Sequence, residues 1–158
     1  MDVGARYTDR NENRTLAALA VRQRETDDSP GAIFGVGRYI QNYGQENNFG
    51  AMVTYRRDDA LGSLDLESQN NTTISVDGFI RPKSEITLSY LLSTSIDSET
   101  DSQGYSGRLF AGAFTNNYYL GYVNYFISEN YNPDMGFVFQ KDVMYHTTGG
   151  YAILRPKW

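Results

Sequence analysis

The chain has 158 residues, enough for one domain, with 14 basic and 19 acidic residues and a net charge of −5 at pH 7. An acidic balance without a basic patch argues against a nucleic-acid partner. Cysteine is absent, which excludes disulfides, thiolate metal sites and cysteine nucleophiles. No stretch approaches about eighteen apolar residues, so transmembrane helices are also excluded.

Apolar and polar side chains alternate along most of the chain, which predicts strands because successive side chains of a strand point to opposite sides of a sheet. Polar turns separate these segments, and the longest predicted loop is 58–70. The pattern predicts a single all-β domain over 1–158, an antiparallel up-and-down meander of about 8–10 strands. The predicted strands in chain order are 3–8, 14–24, 32–41, 48–57, 71–80, 85–94, 104–114, 118–127, a short 135–140, and 142–154.

Strand length narrows the class of protein. Globular strands usually have about five or six residues, whereas strands that cross a bilayer at a tilt need about nine to eleven. Most of the predicted strands fall in the longer class, and several are apolar on one side only. One face of 86–93 carries Ile86, Leu88, Tyr90 and Leu92, and the other carries Thr87, Ser89 and Ser93. We therefore predict an outer-membrane-type β-barrel, or a segment of one.

Arg56 and Asp77 fall on the polar side of these strands. In 48–57, Phe49, Ala51, Val53 and Tyr55 oppose Gly50, Met52, Thr54 and Arg56, and in 71–80 Asp77 opposes Ile74 and Val76. If the apolar side faces lipid, Arg56, Asp77 and Arg108 become candidate lumen charges, in a network that could also include Arg22, Arg24 and Arg38. A soluble sandwich with its apolar face on a core would show the same alternation, so alternation alone does not separate the two.

Aromatic residues lie near several predicted strand ends, where an interfacial girdle is expected in a membrane barrel. The alternative is that tyrosine simply favours strands. The candidate girdle residues are Tyr7, Tyr39, Tyr55, Tyr105, Tyr118 and Phe126.

One segment carries a family resemblance. Tyr131-Asn132-Pro133-Asp134-Met135-Gly136-Phe137-Val138 resembles the Phe-Asn-Pro-Glu-Val-Gly-Phe-Val motif of large Bacteroidetes-type envelope proteins, and Gly4-Ala5-Arg6-Tyr7-Thr8 is similar to the opening of their barrel. These proteins carry a family-9-like carbohydrate-binding module followed by a C-terminal β-barrel domain of unknown function. The resemblance implies a fragment of a larger barrel in the bacterial outer membrane, with the lipid bilayer as partner. Carbohydrate would be a partner only through the module that this chain lacks.

The residues of this motif are interpreted as a structural device, with a ligand contact as the alternative. Pro133 fixes its own φ and pushes Asn132 out of the α region, while Gly136 permits a bend. We expect Asn132, Pro133, Asp134, Gly136 and Phe137 to end one strand and start another, turning Phe137 and Phe139 inward.

Catalytic and metal-binding patterns are weak. His146 is the only histidine and is expected to face the lumen or lie near a loop, and Asp27-Asp28 and Asp58-Asp59 fall in predicted turns. Asp97, Glu99 and Asp101 lack the glycine-punctuated spacing of a calcium loop. No nucleophile elbow, phosphate loop or dinucleotide fingerprint occurs, so we predict no enzyme, cofactor or metal site. The alternatives are a soluble β-sandwich that binds carbohydrate through exposed tyrosines, and part of a membrane-associated hydrolase.

The N-terminus, Met1-Asp2-Val3-Gly4, does not have the basic-then-apolar pattern of a signal peptide. On the membrane interpretation, the chain is therefore expected to be a mature form or a piece of a larger protein.

Overall fold

A computed structural model describes residues 3–26, 29–60, 68–98, 100–136 and 138–156 of the chain. Within these ranges the protein is all-β, with nine strands and no helix that could cross a membrane. The strands are β1 Val3–Arg10, β2 Arg14–Gln23, β3 Ala32–Tyr43, β4 Asn47–Asp58, β5 Gln69–Lys83, β6 Ile86–Asp97, β7 Ser102–Phe114, β8 Tyr118–Ile127 and β9 Val143–Ala152.

The nine strands form one antiparallel sheet in which each strand pairs with the next along the chain, from β1 to β9. This confirms the predicted all-β meander. The sheet is open: within the described strands, β1 and β9 share no Cα pair within 8 Å. An open sheet is what a segment of a barrel would present.

The predicted short strand at 135–140 is wrong, because this part of the chain belongs to the long connection between β8 and β9. Just before 135–140, the connection is held by a side chain of the sheet: the Asn132 amide donates to Ser95 Oγ at 2.8 Å. Strand β5 is longer than predicted and its pairing with β6 is irregular between Ile80 and Lys83. Pro82 lies in that interval and has no amide hydrogen to donate to a ladder.

Connections at the two ends of the sheet differ in length. At one end, which we call the turn rim, the connections are 11–13, 44–46, 84–85 and 115–117. At the other end, the loop rim, they are 24–31, 59–68, 98–101 and 128–142. Residues 61–67 of the predicted loop 58–70 and the Asp27-Asp28 pair lie outside the described residues.

The register assigns every strand residue to one of two faces. Val53 lies opposite Gly37 and Ile74, and Thr54 lies opposite Val36 and Thr73. We call the side of Val53 the apolar face and the side of Thr54 the polar face. Within the nine strands, charged residues on the apolar face occur only near strand ends. They are Asp9 and Arg14 near the turn rim, and Arg22 and Arg57 near the loop rim.

Burial is concentrated on the polar face, which is the reverse of an ordinary protein core. Among the described residues, Ala32 and Tyr131 are the only buried apolar side chains. The buried polar side chains all belong to the polar face: Thr54, Asn71, Thr73, Ser75, Thr87, Ser93, Ser95 and Asp97. By contrast, Val53, Ile74 and Leu92 on the apolar face are exposed. Within the described residues, a single sheet is present and no second layer covers its apolar face.

Candidate functional site

A segment of the β8–β9 connection folds back over the polar face, and we call residues 128–136 the inner loop. Its anchor is Tyr131, which is 8% exposed and whose hydroxyl donates to Ser93 Oγ at 2.8 Å. The next amide, that of Asn132, donates to Ser95 Oγ. Two serines of β6, Ser93 and Ser95, therefore serve as hydrogen-bond partners of the loop.

Asn71 on β5 and Asp97 on β6 complete the attachment. Asn71 Nδ2 donates to the Asn132 carbonyl at 2.7 Å and to Asp97 Oδ2 at 3.2 Å, and Asn71 Oδ1 accepts from the Asp134 amide at 3.3 Å. Asn132 Nδ2 also reaches Asp97 Oδ2, at 3.1 Å. One buried amide side chain thus satisfies backbone groups on both sides of Pro133.

The predicted motif residues are therefore part of this attachment. Asn132 and Asp134 contact the sheet directly, while the Gly136 amide donates to the Pro133 carbonyl at 2.9 Å and closes a turn. Phe137 lies outside the described residues. Phe139 is not buried, being 89% exposed, although it lines a cavity on the polar face together with Tyr131 and Ser93. Tyr131 is the buried aromatic residue of this connection, because its ring can be buried while its hydroxyl finds a partner.

Asn71→Ala is expected to lower the free energy of unfolding by about 2 kcal/mol, because it leaves a buried carbonyl and a buried carboxylate short of donors. Urea unfolding followed by far-UV circular dichroism measures this, and endoproteinase cleavage after Lys141 reports release of the inner loop. Asn70→Ala is the matched control, since the hydrogen bonds of Asn70 among the described residues use its backbone alone: its amide donates to Ser98 Oγ and its carbonyl accepts from the Ser98 amide. Equal effects of the two substitutions would contradict the anchoring role of Asn71.

The candidate lumen charges share the polar face but make separate contacts. Arg38 and Asp77 form a two-pronged ion pair, with one N–O distance of 2.8 Å. Gly50 lies between them, where a Cβ would approach Arg38 Nη2 to 2.7 Å. Arg56 pairs with Asp58 at 2.7 Å and approaches Asp134 of the inner loop to 3.8 Å. Arg108 makes no hydrogen bond or ion pair with the residues that the structure describes.

Arg22 does not join these charges, which corrects the predicted network. It lies on the apolar face at the loop rim and pairs with Asp59. The hydrogen bond from Arg22 lowers the pKa of the Asp59 carboxyl group. At the turn rim, Arg14 pairs with Asp9 at 3.0 Å. Charges on the apolar face are thus confined to its two borders, where they are ion-paired or near an ion pair.

All six candidate girdle residues lie on the apolar face, in two rows. Tyr7, Tyr39 and Tyr118 lie toward the turn rim, and Tyr55, Tyr105 and Phe126 lie toward the loop rim. The five tyrosines are between 37% and 58% exposed. Sequence reasoning missed Tyr43 and Phe49, which flank a short turn on the same face and are also exposed.

His146 lies on the apolar face, in the part of β9 that follows the connection 128–142, so it does not share the polar face with the candidate lumen charges. Its Nδ1 is 3.0 Å from the Tyr122 hydroxyl and 3.1 Å from Asn124 Nδ2. In β9, the odd-numbered and the even-numbered positions both carry polar or aromatic residues, so the sequence does not show which face of the strand is apolar. The polar face near β9 is correspondingly aromatic, with ring centroids of Tyr125 and Tyr145 5.1 Å apart.

Acidic residues do not gather into a metal site within the described ranges, where no group of three His, Cys, Asp or Glu side chains could hold an ion. Asp97 is engaged by Asn71 and Asn132, and Glu99 lies outside the described residues. Asp58 and Asp59 are each engaged by a different arginine, on different faces of the sheet. The site as a whole is a polar, hydrogen-bonded wall with a loop attached to it.

Comparisons with protein-family models, with curated proteins and with solved structures found no match to this chain. The resemblance of 131–138 to the envelope-protein motif therefore stays a prediction.

Proposed function

We propose that this chain is part of the wall of a β-barrel in a bacterial outer membrane, with a structural or transport-associated role and no catalysis. The observation that carries the proposal is the apolar face. It extends from β1 to β8, has charges only near its borders, and is largely exposed, whereas β9 is mixed on both faces. Such a face is stable in contact with lipid hydrocarbon, because exposing the same apolar side chains to water is unfavourable.

Dimensions support the same proposal. Strands β2 to β9 have 10 to 15 residues. At about 3.3 Å per residue and a tilt of about 40°, strands of this length reach across an apolar band of about 25 Å. The two rows of aromatic residues on the apolar face are where the membrane interfaces would lie. Short turns at one rim and longer loops at the other are also typical of outer-membrane barrels.

The polar face suits an aqueous lumen. Hydroxyl and amide side chains and the Arg38–Asp77 pair need water or one another as partners, and a charge on the lipid side would cost about 2–4 kcal/mol at the midplane. The inner loop lies on this side of the wall, so in a closed barrel it would narrow the lumen. A transport-associated role would use this face.

The alternatives, a soluble sandwich and part of a membrane-associated hydrolase, have less support. A carbohydrate-binding sandwich needs a second sheet over the apolar face, and the described residues form one sheet. A hydrolase that works through a pair of carboxylates needs them to converge, whereas the neighbouring Asp58 and Asp59 are held apart by Arg56 and Arg22. Neither alternative is favoured by an observation of its own.

The test is whether folding requires an amphiphile. In detergent micelles or lipid vesicles we expect a strand-rich far-UV circular dichroism spectrum and a band whose gel mobility changes on heating. In buffer alone we expect aggregation, because the apolar face has nothing to cover it. Sedimentation velocity provides the decisive comparison, since a folded and monodisperse protein in plain buffer would contradict the proposal.

A further inference from the structure

The two edges of the sheet run in the same direction. Strand β1 ends at the turn 11–13 and strand β9 begins after the loop 128–142, so both run from the loop rim to the turn rim. This follows from an odd number of strands in an antiparallel meander, nine in the described chain. Direct pairing of β9 with β1 would therefore be parallel, unlike every other pair in the sheet.

Strand β9 does not have the features that protect a free edge. Natural edge strands are shortened, bulged or supplied with proline and charge, because an open row of amides and carbonyls recruits other strands. From Val143 to Ala152, β9 has ten residues without Pro, Asp, Glu, Lys or Arg, and all but Val143 are exposed. In hydrocarbon, each unsatisfied backbone group costs several kcal/mol. This edge is therefore built to be paired.

A second copy of the chain does not supply a suitable partner. In the same orientation, its β1 would again meet β9 in parallel. In the inverted orientation, β9 would pair with β9 antiparallel, but the long loops of the two copies would then lie on opposite sides of the membrane. Outer-membrane barrels have their longer loops at one rim.

We propose that β1 and β9 are completed by an odd number of further antiparallel strands, a single strand being the smallest solution. This inference rests on the proposed barrel wall. The strand beside β9 runs from the turn rim to the loop rim, has about ten residues, and is apolar at every second position in phase with Met144. The strand beside β1 runs in the same direction, and its apolar residues lie on the same face of the sheet as Ala5 and Tyr7. The total becomes even, as in bacterial single-chain barrels.

The test adds strands to the intact chain and asks whether closure alternates with their number. One variant appends, after Leu154, an Asn-Gly turn and a copy of residues 14–23, which run from the turn rim to the loop rim in the native sheet. A second variant adds a copy of 32–41 after that, and a third adds a copy of 48–57 as well. Because the native chain has no cysteine, Ala5→Cys and one cysteine in the last appended strand report their contact as a disulfide.

We expect the disulfide in the one-strand and three-strand variants and only background in the two-strand variant. The chain without added strands, carrying Ala5→Cys and Thr148→Cys, should give no internal disulfide. Efficient β1–β9 disulfide formation in that chain, or cross-linking between β9 strands of two copies, would overturn the inference. Equal disulfide formation in the one-, two- and three-strand variants would also overturn it.

Hydrogen exchange gives a second measurement that does not depend on cysteine placement. Outward-pointing amides of β1 should exchange rapidly in the unmodified and two-strand chains and be protected in the one-strand chain, and equal exchange in all three would overturn the inference. Both measurements are made in lipid vesicles. Failure of the barrel proposal shows separately, as folded monodisperse protein in plain buffer.

Discussion

Val53→Lys is expected to lower the free energy of unfolding in lipid vesicles by about 2–4 kcal/mol. Val53 lies near the middle of β4, on the apolar face, opposite Gly37 and Ile74. Its side chain is 44% exposed, so in water a lysine at this position would change stability by no more than about 0.5 kcal/mol. The size of the effect therefore reports directly whether lipid or water touches this face.

Met52→Lys is the matched control, one residue away and on the opposite face. It adds the same side chain to the same strand, so net charge changes equally. On the polar face, Met52 lies opposite Ser75 and Arg38, so the new ammonium group would reach water and share the carboxylate of Asp77 with Arg38. We expect a loss below about 1 kcal/mol, measured by urea unfolding in the same vesicles. Equally small losses at both positions would mean that the Val53 side is wet and the wall proposal fails.

The strands and faces of the central sheet could be predicted because their signal is local. A period of two in the side chains of β4, β5 and β6 assigns Val53, Ile74 and Leu92 to one side without any knowledge of tertiary structure. The observed register places these three residues on the same face, and a shift of one residue in the pairing would have moved one strand's apolar residues to the opposite face. The same logic placed Arg56 and Asp77 on one face.

The inner loop could not be predicted, because its contacts are distant in sequence. Asn71 reaches Asn132 across 61 residues, and nothing around either residue specifies the other. The residues of 131–134 attach through backbone groups and short polar side chains, which leave no periodic pattern. Reading 135–140 as a strand gave ten strands, which would have made the first and last antiparallel. Because 135–140 is not a strand, β9 is the ninth strand and runs in the same direction as β1. The two edge strands could therefore pair directly only in parallel.

Strand β9 shows a different limit. Tyr145 and Tyr151 lie on the polar face, while His146 and Thr148 lie on the apolar face, so neither parity is clearly apolar. Where both faces are mixed, alternation does not indicate which side of the sheet a residue occupies. Only the pairing of Asn124 with His146 resolves it.

Gly104→Ala is expected to lower the free energy of unfolding by about 3 kcal/mol, because the inner loop rests on this glycine. A Cβ at Gly104 would lie 2.2 Å from both the N and Cα atoms of Tyr131. These are backbone atoms, so no rotamer change relieves the overlap and the loop itself must move. Its displacement would break the bonds from Tyr131 to Ser93 and from Asn132 to Ser95.

Gly149→Ala is the control, since it also lies on the polar face of a strand and its Cβ would meet nothing within 4 Å. Its effect should stay within about 0.5 kcal/mol, because the site is open. Urea unfolding measures both variants, and cleavage after Lys141 measures the loop alone. If Gly104→Ala matches the control in stability and in cleavage, the inner loop is not seated on β7. If it raises cleavage while unfolding stays unchanged, the sheet is stable without the loop, because the wall's own ladder and its lipid contacts are sufficient.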